Sequence, residues 1–166
     1  MQIRINLVAL ACATALCFPA LGAETTEVAL HGYSCSAGAG GIRLPEKLSA
    51  VRALGVKVPE EVGESQQWDG YSTTERTLGL DGMTLQVITF SNDPERFLLS
   101  MAIIESARWD LSVIRVGQQL KQAFAALGYS GKPTNGNWRF NGESESLYVE
   151  ARAGKISRLV FECYTG

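Results

Sequence analysis

One order of elements, met twice along the chain, constrains the fold more than any other feature of this sequence. The first helix candidate covers residues 45–54, with Pro45 at the favoured first helical position and Gly55 just past the end. Leu44, Leu48, Val51 and Leu54 fall on one apolar stripe. The second candidate covers residues 118–127 and stops before Gly128; Leu120, Ala123, Phe124 and Leu127 repeat the i, i+3, i+4, i+7 spacing. The strings LSAVRALG and KQAFAALG read as variants of one helix ending. Strand signals follow each helix. Leu78 and Leu80 lead through Asp81-Gly82 into the alternating run 83–90, and a further strand is expected over 97–104 after the Asn92-Asp93-Pro94 turn. Trp138 and Phe140 lead through Asn141-Gly142 into Leu147-Tyr148-Val149, with a last strand over 156–164 after Gly154. The expected class is therefore α+β: two helix-plus-three-stranded antiparallel meander units, residues 44–109 and 110–166, packed as one compact domain because neither unit buries both its helix stripe and its sheet face alone. Trp109 falls at the junction and reads as core.

Export is read from the first residues. Arg4 supplies a positive n-region, residues 7–18 an apolar stretch of signal-peptide length, and Ala20, Gly22 and Ala23 a cleavage region. The run is too short for a membrane span, so residues 1–23 are expected to be removed, with 24–43 as an N-terminal lead-in and no transmembrane anchor left. Cleavage takes Cys12 and Cys17 with it and leaves Cys35 and Cys163, an even pair that reads as a disulfide in a periplasmic or secreted protein. Such a bridge closes nearly the whole mature chain, worth roughly 4 to 5 kcal/mol in the chain-entropy account. The competing reading is a thiol at Cys35 activated by His31.

Composition removes several functions. With 15 basic and 17 acidic side chains the net charge is −2 and no basic run stands out, which argues against a nucleic-acid partner. A single histidine rules out a multi-His metal site. Glu60-Glu61 and Glu143/Glu145 are sequence neighbours on polar stretches, not carboxylates set across a cleft. No G-x-S-x-G elbow or P-loop occurs, and the glycine-rich stretch 37–41 lacks the following Lys-Ser/Thr. No cofactor and no metal are expected, and the chain reads as a non-enzyme.

The interval from Gly55 to Asp81 is twice that from Gly128 to Asn141, so the first half carries extra residues over 60–74, EEVGESQQWDGYSTT. Extra segments on a scaffold are common binding sites, and Trp68 and Tyr71 among Gly, Ser, Thr and Gln suit a partner-binding loop. The alternative is an edge strand turning at Asp69-Gly70 whose two rings fold back onto the core. A second candidate surface is 132–146, with Asn137 and Trp138; there too the alternative is a strand with Trp138 in the core.

The second half, VIRVGQQLKQAFAALGYSGKP through NWRF to GKISRLVFEC, resembles the small module of BamE-type outer-membrane assembly lipoproteins, with a glycine before a short helix, Leu-Gly after it and then a meander. Two such modules in tandem are also similar to the β-lactamase inhibitory proteins, secreted proteins built from a duplicated helix-plus-sheet unit. No lipobox is present, and the expected bridge spans both halves. The resemblance implies a protein-binding role. The reading is an exported inhibitor or immunity protein that occludes the active site of a secreted or cell-wall-degrading enzyme, with Trp68, Asp69, Tyr71, Asn137 and Trp138 at the contact. The alternative is a non-catalytic envelope assembly or scaffold module.

Overall fold

A computed structural model describes residues 25–30, 35 and 41–164. The signal-peptide reading of 1–23, His31 and the glycine-rich stretch up to residue 40 lie outside the described residues. The architecture is one eight-stranded mixed sheet, with strands β1 (Thr25–Ala29), β2 (Glu61–Trp68), β3 (Tyr71–Leu80), β4 (Met83–Phe90), β5 (Asp93–Ile104), β8 (Gly136–Asn141), β9 (Glu145–Arg152) and β10 (Lys155–Cys163) in the order β1-β8-β9-β10-β5-β4-β3-β2. A small separate hairpin, β6 (Asp110–Leu111) and β7 (Ile114–Arg115), connects the halves. The described helices are two short ones, α1 (Leu48–Arg52) and α2 (Leu120–Ala126).

This overturns the expected α+β class of two helix-plus-three-stranded meander units. The chain is mostly β, and the halves do not pack as separate meanders. β5 and β10 instead pair antiparallel, from Leu159 opposite Ile104 to Glu162 opposite Met101, and fuse them into one sheet. Each of these strands would otherwise present a row of unpaired backbone N–H and C=O groups. β1, read as lead-in, pairs parallel with β8 and makes the sheet mixed. The extra segment 60–74 is not a loop: it forms β2 and the start of β3, joined at Asp69-Gly70.

Local chemistry explains the turns. Gly82 takes φ +73° at the two-residue link between Leu80 and Met83, but Asp81 does not join it at positive φ, as a mirror-image turn would require. That turn type falls at Ala153-Gly154, with φ +49° and +74°, between the paired Arg152 and Lys155. Asn141-Gly142 is not a two-residue turn either, because Asn141 pairs with Ser146. α2 closes in a Schellman motif: the Tyr129 N–H donates to Phe124 O at 2.9 Å, the Gly128 N–H donates to Ala125 O at 3.1 Å, and Tyr129 meets the Phe124 ring edge-on at 5.7 Å. α1 has no side-chain cap of its own. The Glu95 carboxylate, reaching from β5, accepts from both the Ser49 N–H (3.2 Å) and hydroxyl (2.6 Å).

The core lies between one face of the sheet and these helices. Leu48 and Val51 of α1, and Leu120, Ala123 and Phe124 of α2, are buried against Leu78, Leu85, Ile104, Phe140, Leu147, Leu159 and Phe161. Phe124 is the hub, edge-on to Trp138 (4.8 Å) and Phe140 (5.1 Å). Trp109 is partly buried against this cluster and donates its indole N–H to Asp81 O at 2.7 Å. Cys35 and Cys163 form a disulfide across 128 positions. A disulfide fits an oxidising compartment such as the periplasm or the exterior. Among the described residues no helix is long and apolar enough to cross a membrane.

Candidate functional site

Period-two alternation sends every second strand residue to the face opposite the helices. No described helix covers that face. It carries the partly buried Ile88, Phe90, Met101, Ile103, Tyr148 and Val160, with Leu98 40% exposed. Two regions of it stand out.

The first is the arm made by β2 and the start of β3. All eight residues of β2 are exposed, so the strand is held by its ladder and side-chain contacts to β3 and not by a core. At the tip, Trp68 pairs with Tyr71 across the Asp69-Gly70 turn, where Gly70 supplies φ +81° and Asp69 is exposed. The Trp68 and Tyr71 rings stack with centroids 6.3 Å apart and planes 14° apart. Tyr71 meets Phe90 at 6.1 Å, and Arg96 lies over the Phe90 ring at 4.5 Å. The Trp68 indole N–H donates to Thr73 Oγ1 at 3.1 Å, which fixes the ring while leaving 49% of the residue exposed. The two rings therefore fold onto the uncovered sheet face rather than onto the helix-side core.

The root of the arm is tied down electrostatically. Arg52 of α1 donates from Nε and Nη2 to the two oxygens of Glu60, at 2.9 and 3.0 Å, and Arg76 of β3 donates to the same carboxylate at 2.8 Å. Arg76 also donates to Thr89 Oγ1, the one buried polar side chain of the described core. The Arg52 hydrogen bond, supported by Arg76, holds the Glu60 carboxyl below the usual carboxylate range. This cluster joins α1, the root of the arm and the sheet.

The second region lies over β8, β9 and β10. Asn137 is exposed there and lines a cleft of about 270 Å³ with Tyr148, Glu150, Arg158, Val160 and Glu162. Trp138 is 4% exposed, its ring under Phe124 and its indole N–H donating to Thr134 O at 3.0 Å. It stands in the core, the placement that the strand alternative describes. A larger cleft of about 610 Å³ opens next to it, toward Cys163.

Neither a family model nor a curated protein or solved structure matches this chain at a significant level.

Cys35 is consumed in the disulfide, so the thiol that a His31–Cys35 pair needs is not free. No group of three His, Cys, Asp or Glu among the described residues is placed to hold a metal ion. Trp68, Asp69 and Tyr71 come together at one tip, whereas Asn137 lies across the sheet on β8 and is not part of that cluster. Sequence reasoning missed Phe90, Arg96, Tyr148 and Glu162, whose only signal is strand alternation: each sits at the outward phase of a strand with a buried inward phase.

Proposed function

We propose that this protein is an exported inhibitor or immunity protein, acting in the periplasm or outside the cell, that occludes the active site of a secreted or cell-wall-degrading enzyme. The observation that carries this reading is the exposed aromatic tip: Trp68 stacked on Tyr71, backed by Phe90 and Arg96, at the end of an arm with no core of its own. Trp, Tyr and Arg are the residues that dominate binding energy at protein interfaces. The rings are already held by stacking and by the Trp68–Thr73 hydrogen bond, so little side-chain freedom is left to lose on docking. An edge hairpin whose tip presents two rings suits contact with a concave site, and the Glu60 cluster ties its root to α1 and β3.

The test uses oxidised full-length mature protein as bait on envelope and secreted fractions, followed by affinity measurement on the enzyme retained. Trp68→Ala is expected to weaken binding by about 2 kcal/mol, roughly thirtyfold, while changing stability by less than about 0.5 kcal/mol because the ring is half exposed. Unchanged affinity for both Trp68→Ala and Tyr71→Ala, in folded protein, would sink the proposal. Retention of outer-membrane proteins in place of a soluble hydrolase would favour the envelope assembly module, which the BamE-type resemblance of the second half supports.

A further inference from the structure

We propose that the cleft at the Cys163 end of the uncovered sheet face binds a short cationic oligosaccharide, one that carries free amino groups. It is separate from the aromatic tip and does not rest on the inhibitor reading.

Strand register builds the site. Asn141 stands opposite Ser146, Ser146 opposite Glu162, Glu162 opposite Met101, and Met101 opposite Gln86. All five side chains line the cleft of about 610 Å³. With neighbouring strands about 4.8 Å apart, the row runs roughly 19 Å across the sheet. Glu162 also lines the adjoining cleft of about 270 Å³, so the trough continues along the face. A long, shallow trough suits a chain of sugar rings better than a compact small molecule, which would be enclosed on most sides.

The lining has the matching chemistry. Ser146 Oγ donates to Asn141 Oδ1 at 3.2 Å, which leaves the Asn141 amide N–H groups, the Gln86 amide and the Glu162 carboxylate in one row to meet successive sugar hydroxyls. Tyr164, 81% exposed at the rim, offers a flat ring against which the apolar face of a pyranose can lie.

Charge narrows the class. Three carboxylates, Glu143, Glu145 and Glu162, share the cleft with one cation, Arg139. Arg139 stacks over Tyr148 at 5.0 Å, donates to Ser146 Oγ at 3.4 Å and approaches Glu27 at 3.9 Å, while its buried Nε has no hydrogen-bond partner. Arg158, in the adjoining cleft, pairs with Glu150 at 2.9 Å and Glu105 at 3.4 Å. Glu145 accepts from the N–H and hydroxyl of Ser144. Glu162 differs from both. It is partly buried on a central strand, and its side chain has no hydrogen bond or ion pair with any described residue. A partly desolvated carboxylate gains most from an opposite charge. An ammonium on a sugar ring supplies that charge, a neutral sugar leaves it uncompensated, and an acidic glycan is repelled.

Calorimetric titration of the full mature chain with a glucosamine hexamer tests the proposal, with the N-acetylglucosamine hexamer and spermine as comparators. The glucosamine oligomer is expected to bind at least about tenfold more tightly than either comparator. Glu162→Gln and Tyr164→Ala should each weaken it by about tenfold with the melting temperature unchanged. Trp68→Ala should leave it unaltered, which separates this site from the aromatic tip. Equal binding of the acetylated oligomer, equal binding of spermine, no heat at millimolar ligand, or insensitivity to Glu162→Gln would each overturn the proposal.

Discussion

Removing the Cys35–Cys163 bridge should cost this protein more stability than any single side chain can. The bridge spans 128 positions, and in the chain-entropy account a loop of that length restricts the unfolded chain by about 5 kcal/mol. That is a large part of the roughly 5–15 kcal/mol that holds a domain folded. The folded state is exposed to the loss as well. Cys163 ends the central strand β10 and is 7% exposed, while β1 is an edge strand attached by its five-residue parallel ladder to β8, by Val28 against the core, by a 3.9 Å Glu27–Arg139 pair and by Leu30 behind it. Four of the five β1 residues are exposed, so little apolar burial opposes fraying once the tether is cut. Urea unfolding of the oxidised protein, followed by tryptophan fluorescence, would be compared with Cys35→Ala/Cys163→Ala and with the reduced wild type. The expected result is a loss approaching 5 kcal/mol together with a steeper m-value, because an unlinked unfolded chain exposes more surface. A loss below about 1 kcal/mol with an unchanged m-value would refute the reasoning.

Two other perturbations have defined signs. Ala153 holds φ +49° in the β9–β10 turn, so Ala153→Gly should raise stability by about 0.5 to 1 kcal/mol in the same urea experiment, after allowance for the freer unfolded chain. Glu60 has its folded-state pKa depressed, first by Arg52, so its stabilising effect is complete above the ordinary carboxylate range and is lost as pH falls through the lowered folded value. Glu60→Gln should therefore lower stability by about 1 kcal/mol near neutral pH, with the difference from wild type closing as the pH is lowered below the ordinary carboxylate range. A constant difference across that range would rule out the ionic contribution.

How much was legible depends on the range over which each feature is decided. The stripes Leu48/Val51 and Leu120/Ala123/Phe124 marked both helices, because a helix stripe and a following glycine are local signals. Their lengths were overestimated at both ends. The alternation over 83–90 marks a strand, and β4 covers those residues. In the segment 60–74, EVGESQQW carries no alternating apolar pattern, and it becomes a strand only because β3 offers it a ladder. Pro94 suggested a turn, yet β5 starts at Asp93 and the chain reverses at Ser91-Asn92, where a missing N–H near a strand end costs little.

By itself, then, the sequence determined the positions of the short helices, most strand phases, and the pairing of Cys35 with Cys163 once export is read from the first residues. All of these follow from backbone sterics, apolar spacing and cysteine count over short windows. Only the tertiary structure decided that β5 and β10 join edge to edge, that β1 adds in parallel, and that one side of the resulting sheet carries both helices. The same level decided the different fates of two tryptophans in similar polar stretches. Trp138 lies under Phe124, whereas Trp68 stands at an exposed tip. Alternation assigns a residue to one of two faces, but which face is covered depends on hydrogen bonds and packing between segments far apart in the chain.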